Sequence, residues 1–170
     1  PCCGAGTIAI EAAQIACGIA PGLLRSFAFE KLGPFRALLP EWQRLRQAAK
    51  ARVHAPAVAI FGSDVAFRMT DFATRNAERA GVAHAIEFRT GDALQRPAPV
   101  PAGLLMLNPP YGERIEARGT GREARERFEG DAASADFFNR LAAHWKGHYA
   151  GWTAWVLAPD MKLPQAMRLK

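Results

Sequence analysis

Long apolar runs are missing from this sequence. Nothing in its 170 residues approaches the roughly 18 consecutive apolar residues of a membrane-spanning helix, so no membrane is expected as a partner. Pro1-Cys2-Cys3-Gly4 has neither the basic start nor the apolar core of a secretory signal, although a chain that does not open on Met is expected to begin upstream. Cysteine is scarce. Cys2, Cys3 and Cys17 are odd in number and two are adjacent, which excludes a disulfide framework and fits a reducing, cytoplasmic setting. No CxxC pair offers a zinc site. His144 and His148 stand four apart, but Gly147 lies between them and no third ligand is near, so they read as surface histidines and no metal is expected. The third glycine of a dinucleotide fingerprint is also missing, because Gly4-Ala5-Gly6-Thr7-Ile8 runs on to Ala9. That counts against a nicotinamide enzyme. There is no internal repeat and no low-complexity tract.

What is present describes a globular domain with a positive bias. Hydrophobic residues make up 49% and charged residues 22%, the proportions of a chain that buries a core. The formal net charge is +6, and most of it is concentrated. Residues 18–56 carry seven cations (Arg25, Lys31, Arg36, Arg44, Arg46, Lys50, Arg52) against Glu30 and Glu41, a net +5. Such a segment suits a polyanion, and Arg25, Arg44, Arg46 and Arg52 are the candidates to track a phosphate backbone. The alternative is a packed helical excursion with a solvated basic face.

Along the chain, Cys3-Gly4-Ala5-Gly6-Thr7 reads as a glycine turn opening a helix that stops at Gly18. A turn of this kind normally follows a strand, which is expected before Pro1. Residues 18–56 read as an insertion, with a basic helix at 41–52 whose apolar face is Trp42, Leu45 and Ala49. Val58-Ala59-Ile60-Phe61-Gly62-Ser63-Asp64 is a strand buried on both faces. A helix follows at 66–80, with Phe67, Phe72, Ala73, Ala77 and Ala80 inward and Gly81 as its cap. Residues 85–89 are a shorter strand, and Pro97, Pro99 and Pro101 mark a loop. Gly103-Leu104-Leu105-Met106-Leu107 is a short buried strand that two prolines terminate. Residues 112–130 alternate charge in a mobile loop. A helix is expected at 134–146 with Phe137, Phe138, Leu141 and Trp145 as its stripe, then a strand at 152–157 and the start of another helix. Strands alternating with helices imply an α/β fold: a mainly parallel sheet with helices on both faces.

The chemistry falls at strand ends, where open α/β sheets bind ligands. The glycine turn lets backbone approach a ligand, and the helix it opens offers free N–H groups. Asp64 ends a strand and can accept both ribose hydroxyls of an adenosine cofactor, or cap a helix. Asp92 can receive an adenine amino group, or close a turn. Asn108-Pro109-Pro110-Tyr111 sets an amide, a stiff turn and an aromatic ring at one strand end. A nucleobase amine is a poor nucleophile because its lone pair is delocalised into the ring. The Asn108 side-chain carbonyl and the Pro109 backbone carbonyl can accept its N–H groups and localise that pair, while Tyr111 stacks on the base at roughly 1–3 kcal/mol. Attack on a sulfonium methyl then depends on positioning more than on a strong base. The plain alternative is a Pro-Pro turn after a strand.

Asn108-Pro109-Pro110-Tyr111 together with Pro1 to Thr7 resembles the class I S-adenosylmethionine-dependent amino-methyltransferases. Cys3-Gly4-Ala5-Gly6-Thr7-Ile8, Ile10-Glu11-Ala12-Ala13, Ile19-Ala20-Pro21-Gly22, Arg25, Phe27, Phe29, Glu30, Trp42 and the stretch from Asn108 to Arg114 narrow the resemblance. They are similar to the bacterial 23S ribosomal RNA guanine-N2-methyltransferases, which usually carry an RNA-binding THUMP domain before the catalytic one. The resemblance covers nearly the whole chain. It implies a Rossmann-like class I methyltransferase fold, truncated at both ends, and S-adenosyl-L-methionine as cofactor. Cys3, Gly4 and Gly6 would cradle its methionine part, Asp64 its ribose and Asp92 its adenine. Asn108, Pro109, Pro110 and Tyr111 would hold the target base of ribosomal RNA. The amine motif is shared with adenine-N6 DNA methyltransferases, so adenine-N6 methylation of DNA or RNA is the alternative, followed by a non-catalytic RNA-binding domain. The strand and Asp expected before Pro1, and a closing strand pair after Lys170, are outside the sequence.

Overall fold

The computed structural model describes residues 1–109 and 130–158, with side chains from 136 in the second stretch, together with Gln165, Met167 and Arg168. Pro110, Tyr111, the charged stretch at 112–129 and residues 159–164, 166, 169 and 170 lie outside the described residues.

The glycine turn leads into helix α1 (Thr7–Ala16). The insertion follows as two short 3-10 helices (Ala28–Lys31 and Gly33–Leu38) and helix α2 (Leu39–Ala51), which has Pro40 in its first turn, where a missing N–H costs nothing. Strand β1 (Ile60–Asp64), helix α3 (Phe67–Arg79) and strand β2 (Ile86–Thr90) form one crossover unit. Strand β3 (Gly103–Leu107), helix α4 (Gly130–His148) and strand β4 (Trp152–Val156) form a second. In each unit the strands pair in parallel, with Ile60 opposite Ile86 through Asp64 opposite Thr90, and Gly103 opposite Trp152 through Leu107 opposite Val156.

The parallel α/β architecture is the expected one, but the described strands form two pairs instead of one sheet. Each pair has its own core. On the first, α1 and α3 meet through side chains small enough for close approach, with Ala13, Ala77 and Cys17 buried beside Val82 and Ala85. On the second, Phe138, Leu141, Ala142 and Trp145 of α4 cover Leu105 and Leu107 of β3.

Several expectations of burial are corrected. β3 is buried on one face only: Leu104 is 52% exposed and Met106 50%. Adjacent side chains point to opposite faces, and among the described residues α4 covers only the face of Leu105 and Leu107. Val58 is exposed and precedes β1, which begins at Ile60. Phe67, at the first turn of α3, faces out. In α2 the inward stripe is Trp42, Arg46 and Ala49, and Leu45 is exposed. Arg46 takes the inner position because acceptors wait there. Its guanidinium donates to the Leu23 and Arg25 carbonyls (3.2 and 3.4 Å) and lies 3.8 Å from Glu30.

β1 and β3 each have a partner on one side. Their other edges line a shared cavity of about 910 Å³, which α1 also borders through Ile8, Ala9 and Ala12.

Candidate active site

The glycine turn is held by the end of β1. Cys3 N–H donates to the Ser63 carbonyl (2.8 Å) and Gly4 N–H to Asp64 Oδ2 (2.9 Å). Gly6 N–H closes the turn on the Cys3 carbonyl (2.9 Å). Gly4 at φ +52 and Gly6 at φ +86 adopt left-handed backbone that other residues enter at a cost. They are required for different reasons. A side chain on Gly4 would meet nothing within 4 Å, so the backbone there faces open space, whereas one on Gly6 would come within 2.9 Å of Ala73 Cβ and 3.3 Å of Phe88. Gly6→Ala is therefore expected to push α1 off α3 and cost about 1–3 kcal/mol in unfolding by denaturant. A loss below about 0.3 kcal/mol would show that the turn relaxes freely.

Asp64 is buried and does two things at once. Its Oδ2 takes the Gly4 N–H and its Oδ1 takes the Ala66 N–H (3.1 Å) ahead of α3. It closes the turn into α3, whose N-cap is Ala66, and tethers the glycine turn, and each oxygen keeps a further lone pair for a ligand; the helix-cap reading is not met, because no side chain caps α3. Gly91 N–H donates to the Asp64 carbonyl (2.8 Å), which brings the turn after β2 beside Asp64. Asp92 itself closes that turn. Its Oδ1 accepts the Leu94 N–H (2.8 Å) and its carbonyl the N–H groups of Gln95 and Arg96.

Asn108 lies at the carboxyl end of β3, exposed, with Pro109 buried behind it. Leu157 N–H donates to the Leu107 carbonyl (2.8 Å), extending the β3–β4 pairing to the residue before Asn108. Cys3, Gly4, Ser63 and Asn108 line the same cavity. The structure thus brings together Cys3, Gly4, Gly6, Asp64 and Asn108 from three separate stretches of chain, with Asp92 adjacent. Pro110 and Tyr111 lie outside the described residues.

The arginines of the insertion differ in how far they are committed. Arg25 lies 4.4 Å over the Phe27 ring, Arg44 pairs with Glu41 at the surface, and Arg46 is held inside as described. Phe27, Phe29, Phe35 and Trp42 form the aromatic cluster under them. Glu30 accepts the Phe27 N–H (2.8 Å), and this bond is the first cause of a carboxyl that ionises below the usual range. The two histidines stack at 4.4 Å. Each donates one ring N–H to a backbone carbonyl: His144 Nε2 to Arg96 (2.7 Å), and His148 Nδ1 to His144 (3.0 Å). Among the described residues no helix is long and apolar enough to cross a membrane.

The profile of the family described as RMKL-like, methyltransferase domain, matches residues 1–170. The chain belongs to that family. This RMKL-like domain is 38% identical to the ribosomal RNA large subunit methyltransferase K/L of Shewanella pealeana, over 100% of its own length and 22% of the relative's. It is 39% identical to the protein of the same name from Shewanella loihica, with the same coverage. The domain thus spans about a fifth of the length of these relatives. Among solved structures, SMU.472, crystallised with SAH, superposes at a TM-score of 0.80 and 29% identity, covering 98% of this chain and 40% of that one. A predicted N6-adenine-specific DNA methylase from Listeria monocytogenes superposes equally well, at 0.80 and 29%, over 100% of this chain and 41% of that one. The SAH held by SMU.472 is in line with S-adenosyl-L-methionine as the cofactor of the RMKL-like domain.

Two residues of the site were not singled out from sequence. Phe88 packs over Gly62 and Gly6, and Asn76 donates to the Ala5 carbonyl (2.8 Å). A signal for Asn76 was present: it is a polar residue beside Ala73, Ala77 and Ala80 on the inward stripe of α3.

Proposed function

We propose that this domain transfers a methyl group from S-adenosyl-L-methionine to the exocyclic N2 amine of a guanine in 23S ribosomal RNA. The supporting observation is the single cavity shared by the Cys3–Gly4 turn and Asn108. The residues fit the cofactor: Gly4 opens onto free space, and buried Asp64 keeps lone pairs. Cys3, Gly4 and Gly6 hold the methionine part, Asp64 the ribose and Asp92 the adenine. When bound, the cofactor supplies a sulfonium-activated methyl. Asn108 Oδ1 and the Pro109 carbonyl accept the amine N–H groups, keep the lone pair on nitrogen and aim it along the transfer direction. Pro110 stiffens the turn, and Tyr111 stacks on a base flipped or presented single-stranded, at a few kcal/mol. The buried Pro109 is consistent with a rigid support.

Ribosomal RNA as the substrate is supported by the names of the K/L relatives, and guanine over adenine by the resemblance that the insertion residues carry. The Listeria protein, a predicted N6-adenine-specific DNA methylase, favours the adenine reading. The two are separated by giving the intact protein unmodified 23S RNA and labelled S-adenosylmethionine, then identifying the digested product by mass spectrometry. N2-methylguanosine is expected. N6-methyladenosine sustains the alternative, and no product leaves a non-catalytic RNA-binding domain.

For the RNA, the committed position of Arg46 shifts the phosphate-tracking role within Arg25, Arg44, Arg46 and Arg52 toward Arg44 and Arg52. Reversing both charges should weaken RNA binding and lower the slope of log K against log salt by about 1–2. Arg46→Glu should instead destabilise the insertion. An unchanged slope would return α2 to a packing role. A cytoplasmic setting follows from this substrate.

A further inference from the structure

We propose that Asn76 is a positioning residue for the cofactor turn, oriented by Arg79. The proposal rests on the reading that the glycine turn holds the cofactor. A turn built on two left-handed glycines is easily rearranged, because glycine tolerates either sign of φ. The vulnerable unit is the peptide between Ala5 and Gly6. Rotating it changes only the Ala5 ψ and the Gly6 φ, and it would turn the Ala5 carbonyl to where the Gly6 N–H now points.

The structure ties that peptide at both ends. Its N–H donates to the Cys3 carbonyl (2.9 Å), and its carbonyl accepts from Asn76 Nδ2 (2.8 Å). The first bond is internal to the turn and moves with it. The second comes from α3, a separate element. The Asn76 amide could face either way on its own, but Arg79 donates to its Oδ1 (2.7 Å), leaving the NH2 group for Ala5. Arg79 is steadied in turn by its Nε–H on the Arg75 carbonyl (3.3 Å). Asp64 and Ser63 restrain the turn from β1, and Asn76 restrains it from α3. A turn held in its binding conformation loses less freedom when a ligand arrives, so affinity rises without any contact between Asn76 and the ligand.

The test uses the intact protein and S-adenosylhomocysteine as the probe, with titration calorimetry and amide exchange. Asn76→Asp keeps the acceptor for Arg79 and sets a carboxylate oxygen against the Ala5 carbonyl. Asn76→Ala removes the donor alone. We expect the alanine variant to bind about 3- to 10-fold more weakly, the aspartate variant more weakly still, and the Gly6 amide to exchange faster in both. The KM for S-adenosylmethionine should rise by the same factor, with kcat at saturation within twofold. Arg79→Leu, which leaves the donor but frees its orientation, should show a smaller loss of the same sign and serves if either Asn76 variant misfolds. Unchanged affinity in these variants, or a fall in kcat with KM unmoved, overturns the proposal. If S-adenosylhomocysteine fails to protect the Gly4 and Gly6 amides in the unaltered protein, the cofactor reading has failed instead. Protection there with unmoved variants sinks Asn76 alone.

Discussion

Asn108→Ala is expected to lower turnover by about 10²-fold or more, the scale seen when one preorganised polar group is removed from a reacting centre. Dissociation of S-adenosylhomocysteine should change by no more than a few fold. The separation follows from geometry. Asn108 is exposed at the end of β3, so truncation removes little packing, and the cofactor is assigned to the glycine turn across the cavity. The Leu157–Leu107 hydrogen bond and the buried Pro109 should keep the backbone in place. Single-turnover kinetics with saturating RNA and cofactor would measure the loss. Turnover within threefold of the unaltered protein would end the idea that the Asn108 carbonyl holds the amine.

Asp64→Ala should produce the opposite pattern. Cofactor affinity is expected to fall about 10- to 100-fold, because hydrogen bonds to a charged acceptor contribute about 1.5–3 kcal/mol each. Stability should fall as well. The Ala66 N–H loses a partner in a buried position, at about 1–3 kcal/mol, and the Gly4 N–H loses one in a half-buried position at a smaller cost. Calorimetry with S-adenosylhomocysteine and denaturant titration read the two effects separately. A stability loss with unchanged affinity would make Asp64 a tether of the two turns only. Asp64→Asn gives a further check, since an amide can accept one of the two N–H groups but presents its own N–H to the other.

The reach of the sequence can be judged residue by residue. Glycine spacing before an apolar helix identified the turn, and Pro109-Pro110 after an apolar run located the end of β3. Both signals are local: backbone freedom, proline's fixed φ and hydrophobic periodicity act over a few residues. Leu45, Phe67, Leu104 and Met106 escaped the same reasoning. Their apolar character assigns each to a face of its element. Whether that face is covered depends on what packs there, and the sequence pattern is silent on that. Arg46 is the converse case, a charged side chain drawn inward by carbonyl groups more than 20 residues away in sequence.

By itself the sequence determined the parallel α/β class, the residue types at each strand end and, through its motif residues, the resemblance to amino-methyltransferases. The tertiary structure alone decided what those residues do to one another. It made Asp64 a tether of both Gly4 and Ala66, set Asp92 to close its own turn, recruited Asn76 from α3 and placed Asn108 across one cavity from Gly4. The hydrogen bond from Asn76 to Ala5 alone joins positions 71 residues apart. These relations exist only once separate elements have packed together, because a hydrogen bond depends on distance and direction, which composition and spacing do not carry.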